Sequence, residues 1–312
     1  MKATVCTLFE GHYHYGVAVL VNSLHAQGFR GTVWIGFRGD LPPWADEARE
    51  TAGIAEMPVG EGVTLRFVRL ATTDHLTNFK ATFMLEVMAR HDPAAEAVFY
   101  FDPDIVVAGR WGFYEEWVEC GVALCEDVNS PKPETHPIRG AWRKFGAAHG
   151  LTLTARTSSY VNAGFIGASR SALPFLRTWI TVLELLKREH DVGSILNWED
   201  KDRTFAFFRP DQDALNMTIE ASPIPLSIVG KDGMGFSGGG YIMYHALGAP
   251  KPWRKHFIWE ALKGWPPTAP DKAFVTHANA PIATYSSMAL VWRRFALVVA
   301  GAICRVVRKG GW

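Results

Sequence analysis

The sequence predicts an α/β fold built on a mainly parallel central sheet flanked by helices, and three observations carry that prediction. Runs rich in Val, Ile and aromatic residues alternate with segments of helical apolar spacing, the pattern left by parallel strands joined through helical crossovers. One run, Ala97 to Val107, reads A-V-F-Y-F-D-P-D-I-V-V, as a strand buried on both faces does, and is interrupted only at Asp102-Pro103-Asp104. Composition agrees: 312 residues with 48% hydrophobic and 20% charged content support a sizeable core and do not describe a disordered chain.

In chain order, a first strand at Ala3–Phe9 runs into Gly11, and His14–Ala26 follows with helical spacing that Gly28 can end. A second strand is expected at Thr32–Phe37, then a turn around Gly39–Pro43, a short helix, and a third strand at Thr64–Leu70. Asn78–Arg90 reads as a helix that stops before Asp92-Pro93 and delivers the chain into Ala97–Val107, at about the fourth strand. Beyond it come a short strand at Val122–Cys125 and a long polar connection, Glu126–Ser159, with three prolines, of the sort used as lids or substrate loops. Strand character returns at Tyr160–Ala168, and Leu173–Glu189 is amphipathic.

Two unpaired carboxylates beside a buried strand cost roughly several kcal/mol, so Asp102 and Asp104 require a compensating cation. Mg²⁺ or Mn²⁺ prefers carboxylate oxygens and often bridges to a substrate diphosphate, which points to a phosphorylated donor at the carboxyl end of the sheet. The plainer alternative is a strand end that Asp-Pro-Asp merely stops. Three further clusters accompany the pair. Tyr160-Val161-Asn162-Ala163-Gly164-Phe165-Ile166-Gly167 sets an amide among small residues, which lets backbone approach a ligand or simply packs. Pro210-Asp211-Gln212-Asp213-Ala214-Leu215-Asn216 places polar groups at a helix start, where Asp211 as N-cap and Asp213 against the helix dipole would suffice. Tyr244-His245-Ala246-Leu247-Gly248-Ala249-Pro250-Lys251-Pro252-Trp253 gathers a metal-ligating side chain, a glycine and a cation.

Taken together, F-D-P-D, N-A-G-F, D-Q-D-A-L-N and H-A-L-G-A-P-K-P-W, in this order, resemble the retaining glycosyltransferases of family 8, over roughly residues 1–255. The resemblance implies a GT-A fold, a nucleotide-diphosphate sugar donor, and Mn²⁺ (or Mg²⁺) held by Asp102, Asp104 and His245. It further implies that Gly248 and Lys251 approach the diphosphate, that Asn162 and Ala163 line the sugar site, and that Lys80 touches the donor. Asp211 and Gln212 would meet the sugar hydroxyls and the reacting face, with Asp213 or Gln212 as the candidate nucleophile if transfer is a double displacement; a same-face route needs none. The sequence departs from the family at the first strand, where Cys6-Thr7-Leu8-Phe9-Glu10-Gly11 lacks the usual Asp, leaving Thr7 and Glu10 as candidate contacts to the base, with uridine expected by analogy. His277 is a rival to His245 for the third metal position.

Net charge is only +1, yet no acidic residue follows Asp271 while Lys272, Arg293, Arg294, Arg305, Arg308 and Lys309 remain. On a helix over Trp292–Lys309 the last five of these cations share roughly one 160° arc. Trp292, Phe295, Ala296, Val299, Ala300, Ile303, Val306 and Val307 lie opposite. Residues 256–312 thus read as an extension ending in an interfacial helix, too short and too charged to span a bilayer, on an anionic membrane surface. A core-packing helix with a solvated basic face is the alternative. Four cysteines without zinc-ligand spacing suit a reducing compartment, and the N-terminus has no signal-like apolar region. The expected location is cytoplasmic, peripheral on the inner face of the cytoplasmic membrane, with a glycan or glycolipid acceptor, such as a lipopolysaccharide-type glycan. Nucleic acid is not expected, because the basic residues lack a stacking platform. An inverting GT-A enzyme and a non-catalytic membrane-associated scaffold are the alternative functions. A dehalogenase-type phosphatase would carry its Asp-x-Asp near the N-terminus, and a nucleotidyltransferase would show a Gly-rich loop after the first strand.

Overall fold

The computed structural model describes residues 1–193 and 204–307. The chain opens on β1 (Ala3–Glu10), α1 (His14–Ala26) and β2 (Gly31–Arg38). The expected short helix is only a 3-10 turn at Pro43–Ala45, and a hairpin follows it, β3 (Arg49–Thr51) and β4 (Ile54–Val59). In β4, Ala55, Met57 and Val59 turn inward while Glu56 and Pro58 face out, a period of two that a helix cannot satisfy. After β5 (Val63–Arg69), the helix expected over Asn78–Arg90 is a 3-10 turn, then α2 (Lys80–Glu86), then a π-helical turn at Val87–His91.

Ala97–Val107 forms two strands, β6 (Ala97–Phe101) and β7 (Ile105–Val107), in different sheets, so the Asp pair follows the sixth strand and not the fourth. The Asp102-Pro103-Asp104 turn redirects the chain, with the Ile105 amide donating back to the Asp102 carbonyl at 3.0 Å. Gly16 of α1 permits that turn: a Cβ there would collide with the Pro103 carbonyl.

Next come α3 (Trp111–Glu119), β8 (Val122–Cys125) and α4 (Pro137–Ala148), the last lying inside the stretch expected to be a loop. Pro137 starts α4 where no N–H is required, and Arg139, Trp142 and Gly146 are its buried residues. Among them Arg139 reaches Glu220 at 2.5 Å, both fully buried, which ties α4 to α6 (Pro210–Ala221). Between these two helices, β9 (Phe165–Ser169) begins five residues later than Tyr160, and α5 (Leu173–His190) falls as predicted. The chain finishes with β10 (Leu226–Val229), β11 (Met243–His245), α7 (Phe257–Leu262), α8 (Ala269–Thr276) and α9 (Ser287–Val307).

The main sheet has nine strands in the order β10-β8-β9-β6-β1-β2-β5-β4-β3. Parallel pairs β6-β1-β2-β5 form its centre, and β9 and β4 run against their neighbours. The small second sheet pairs β7 with β11, placing His245 opposite Ile105.

Helices α7 to α9 close over a third apolar cluster that includes Val19 of α1 and Val106 of β7, and the buried Asn22 amide donates to the His277 and Ile282 carbonyls. Leu290, Ala296, Ala300 and Cys304 of α9 are buried there, whereas Met288, Val291, Trp292, Phe295, Val298 and Val306 are exposed. The five cations therefore do not share a solvated face. Arg293 turns inward, donating to the Pro252 carbonyl and lying over the Phe257 and Tyr285 rings, while Arg294 and Arg305 remain exposed. Arg308 and Lys309 lie outside the described residues. Ser287–Val306 spans 20 residues at a mean hydropathy of 1.6, so by length and composition it could cross a bilayer, against the expectation of too short a run.

Candidate active site

The carboxyl ends of β1, β6 and β8 and the start of the reversed strand β9 meet on one edge of the sheet, where the N-termini of α2 and α6 also arrive. They surround a cleft of about 840 Å³ whose walls include Lys80, Asp102, Asn162, Gln212, His245 and Lys251. A smaller cavity of about 250 Å³ adjoins it and reaches Glu10, His75 and Leu76 at the end of β1.

Ligand atoms of Asp102, Asp104 and His245 all lie within 4.8 Å of one another. His245 Nε2 is 3.2 Å from Asp104 Oδ1 and 3.9 Å from Asp102 Oδ2. Its Nδ1 is buried with no hydrogen-bond partner among the described residues. Two carboxylates and an imidazole are a donor set that Mn²⁺ accepts, so this group could hold a divalent ion. Room for it comes from Gly164, since a Cβ there would lie 2.5 Å from His245 Cε1 and 3.0 Å from Asp102 Oδ2. His277 has no part in the group; it ends α8, away from both carboxylates, with its carbonyl bound to Asn22.

Two lysines hold the acids. The Lys80 ammonium, almost fully buried, lies 3.1 Å from Asp102 Oδ1 and 3.2 Å from Asp211 Oδ2, and donates to the Ala163 carbonyl at 3.0 Å. Burial opposes its charge, but the two carboxylates outweigh burial and raise its pKa. Lys251 donates to Asp104 Oδ2 and to the Ala246 carbonyl. Burial would raise the Asp104 pKa, yet His245 and Lys251 prevail and hold it below the usual carboxylate range. The Tyr100 hydroxyl donates to Asp102 at 2.9 Å, and burial together with that carboxylate keeps it neutral, with a pKa well above the ordinary value.

On the opposite wall, Asn162 donates to Asp127 Oδ2 at 2.7 Å and accepts from the Gly164 amide at 2.8 Å, which fixes the Asn162–Gly164 turn. Gln212 Oε1 accepts from the Ala163 amide at 3.3 Å, leaving its buried Nε2 without a partner among the described residues. Asp211 is the second residue of α6 and not its N-cap; burial raises its pKa in spite of Lys80. Asp213 lies outside the cleft walls, accepting from the Tyr160 hydroxyl at 2.7 Å and the Arg209 amide at 2.8 Å, with burial lifting its pKa to about 6. Gly248 lines the cleft at φ +74°, a conformation that favours glycine. Glu10 is exposed and paired with Arg38 at 2.7 Å. Thr7 is fully buried within β1, lines neither cavity, and its hydroxyl has no partner among the described residues. The predicted set is thus brought together except for Asp213 and Thr7.

Sequence reasoning missed Asp127, Arg209 and Arg254, which also line the cleft. Asp127 follows the β8 strand end just as Asp102 follows β6, the one signal that could have found it.

No protein-family model matches the chain, and no curated protein matches it. Solved structures do. The apo structure of the bifunctional glycosyltransferase WbbM superposes at a TM-score of 0.53 and 14% identity, covering 94% of this chain and 51% of that one. The glycosyltransferase GlyE of Streptococcus pneumoniae TIGR4 superposes at 0.53 and 14%, covering 96% of this chain and 64% of that one. The chain spans about half the length of the first and just under two thirds of the second. At this identity the likeness is one of architecture: the chain shares the fold of these two proteins.

Proposed function

We propose that the protein is a metal-dependent glycosyltransferase that moves a hexose from a nucleotide-diphosphate sugar, in the first instance UDP-hexose, to a glycan or glycolipid acceptor. The observation that carries the reading is the Asp102–Asp104–His245 group with Lys251 beside it at the wall of the cleft. Lys80, Lys251, Arg209 and Arg254 are balanced there by Asp102, Asp104, Asp127 and Asp211, so a divalent ion would bring the net positive charge that a nucleoside diphosphate matches. Bound at this group, Mn²⁺ (or Mg²⁺) would supply Lewis-acid stabilisation of the leaving diphosphate. Lys251 can turn from Asp104 toward the phosphates as a point charge. Gly248 lets backbone approach them, and Asn162, Ala163, Asp211 and Gln212 would position the sugar. The small cavity at Glu10 would take the nucleoside.

Retention of anomeric configuration, as in glycosyltransferase family 8, is part of the proposal. Asp211 is engaged by Lys80, and Asp213 by Tyr160 and Arg209, which supports the same-face route over a carboxylate nucleophile. In that route the leaving phosphate oxygen takes the acceptor's proton, and the buried Gln212 Nε2, without a partner among the described residues, would stabilise the reacting face. For location we propose the inner face of the cytoplasmic membrane. The exposed apolar stripe of α9, flanked by Arg294 and Arg305, supports a helix lying in the interface, because its other side is packed against α7 and α8.

The test is a panel of nucleotide sugars incubated with the protein and Mn²⁺. Metal-dependent release of the nucleoside diphosphate from one donor is expected, and its loss in Asp104→Ala with the fold intact. Full activity in that variant, or in excess chelator, contradicts the metal assignment; no turnover of any donor contradicts the transferase.

A further inference from the structure

A second pocket lies on the far side of the Ala249–Pro250 wall of the cleft. Its volume is about 310 Å³, at the lower end of small-molecule sites, which run from about 300 to 1,000 Å³. Both Ala249 and Pro250 line the cleft on one side and this pocket on the other, so a ligand leaving the cleft over Pro250 enters it. The opposite side carries Trp265, 68% exposed, followed by Pro266 and Pro267. The backbone that bears it is fixed: Gly264 follows α7 at φ +91°, and the Trp265 amide donates to the Glu260 carbonyl at 2.9 Å.

The polar groups restrict the ligand. Of the lining residues, Lys255 is 2.9 Å from Asp271, and Glu260 is 3.2 Å from Lys263, so the charges that line the pocket already have partners. Such a pocket does not select a phosphate. It offers a flat aromatic face, prolyl walls, and the remaining hydrogen-bonding capacity of Glu260 and Lys255, a combination that suits a neutral ring with hydroxyl edges and apolar C–H faces.

We propose that the Trp265 pocket is a saccharide-binding subsite that holds the acceptor glycan one or more rings beyond the residue that receives the sugar. The proposal rests on the transferase reading for its role, although saccharide binding at Trp265 can be measured without turnover. Maltotriose, lactose and N-acetyllactosamine, as neutral probes, would be titrated into the full chain by saturation-transfer NMR, together with Trp265→Ala and Trp265→Phe. UDP with Mn²⁺ would be titrated into the same samples by calorimetry. At least one saccharide should bind, with affinity falling tenfold or more in Trp265→Ala and staying within about threefold in Trp265→Phe, since the ring face and not the indole N–H provides the contact. Affinity unchanged in Trp265→Ala overturns the subsite, as does absence of binding by the unmodified chain. A Trp265→Ala chain that keeps saccharide binding and loses adhesion to phosphatidylglycerol vesicles overturns it too, assigning the indole to lipid. If saccharide binding depends on Trp265 while UDP does not bind, the subsite stands and the transferase reading fails.

Discussion

Gly164 sits where any side chain would strike His245, its missing Cβ position being 2.5 Å from the imidazole Cε1 and 2.8 Å from Asn162 Oδ1. One hydrogen atom in place of a methyl group thus lets the turn before β9 pass the proposed metal ligands. Gly164→Ala must displace the imidazole, Asp102 or the Asn162 amide. Mn²⁺ affinity, followed by calorimetry, should fall at least tenfold while the circular dichroism spectrum stays native. Unchanged affinity would show that the three side chains do not act as one site.

Among the described residues, Lys80 is the cation that touches both Asp102 and Asp211. Replacing it by Met leaves the buried Asp211 facing the partly exposed Asp102 without their shared counter-charge; breaking a fully buried pair costs about 3–5 kcal/mol, and the exposure of Asp102 places this one toward or below the lower end. The urea midpoint of Lys80→Met should drop accordingly in chelator. Saturating Mn²⁺ should recover part of the loss, because Asp102 then regains a counter-charge; a variant as stable as the parent would mean that Lys80 compensates nothing.

Asp213 gives a pH signature unrelated to chemistry. Burial lifts its pKa to about 6, above that of the unfolded chain, so the folded protein binds this proton more tightly. Its contribution to stability is present below the ordinary carboxylate range and is lost as pH rises toward and through about 6. Asp213→Asn, which can still accept from the Arg209 amide, removes that loss. Its stability relative to the parent should therefore increase between about pH 4 and 6.5 in denaturant titrations, and a pH-independent difference would place the titration elsewhere.

Deleting residues 286–312 would be a poor test of membrane binding, since Leu290, Ala296, Ala300 and Cys304 belong to the apolar cluster under α7 and α8. Point changes on the exposed stripe avoid that. Trp292→Ser with Phe295→Ser should lower partitioning onto anionic vesicles by tenfold or more, with little change in melting temperature, because both side chains are more than half exposed. Sedimentation with vesicles that is unaffected would remove this helix face from the interface.

How much of this could be read from the sequence depended on whether one segment held the information. The buried strand before Asp102 was legible because five consecutive apolar residues declare themselves. The hairpin at Arg49–Val59 was not, because its inward residues are few, Ala55, Met57 and Val59, and a short helix was expected in its place. The helix at Pro137–Ala148 was hidden by the prolines that made its neighbourhood read as a loop, although Pro137 is a normal helix start. At the site, His245 was reached through an ordered motif and Lys80 through the family resemblance. Gly16 and Asp127 were missed because their roles arise only where Gly16 meets the Pro103 carbonyl and Asp127 meets the Asn162 amide, contacts between separate segments. The orientation of α9 was wrong for a related reason: a helical wheel does not know that Arg293 has Phe257 and Tyr285 to lie against.

The ribbon of β7 and β11 also sets an order of events during synthesis. Lys251 is made 147 residues after Asp104, and His245 only shortly before it, so Asp104, unlike Asp102 with its earlier partner Lys80, leaves the ribosome long before its own two partners exist. Through that interval water is the partner of the Asp104 carboxylate, and β7 lacks the strand it pairs with. The last quarter of the chain therefore completes the surroundings of an acid made much earlier, and a product ending before Met243 would leave Asp104 without its imidazole and ammonium partners.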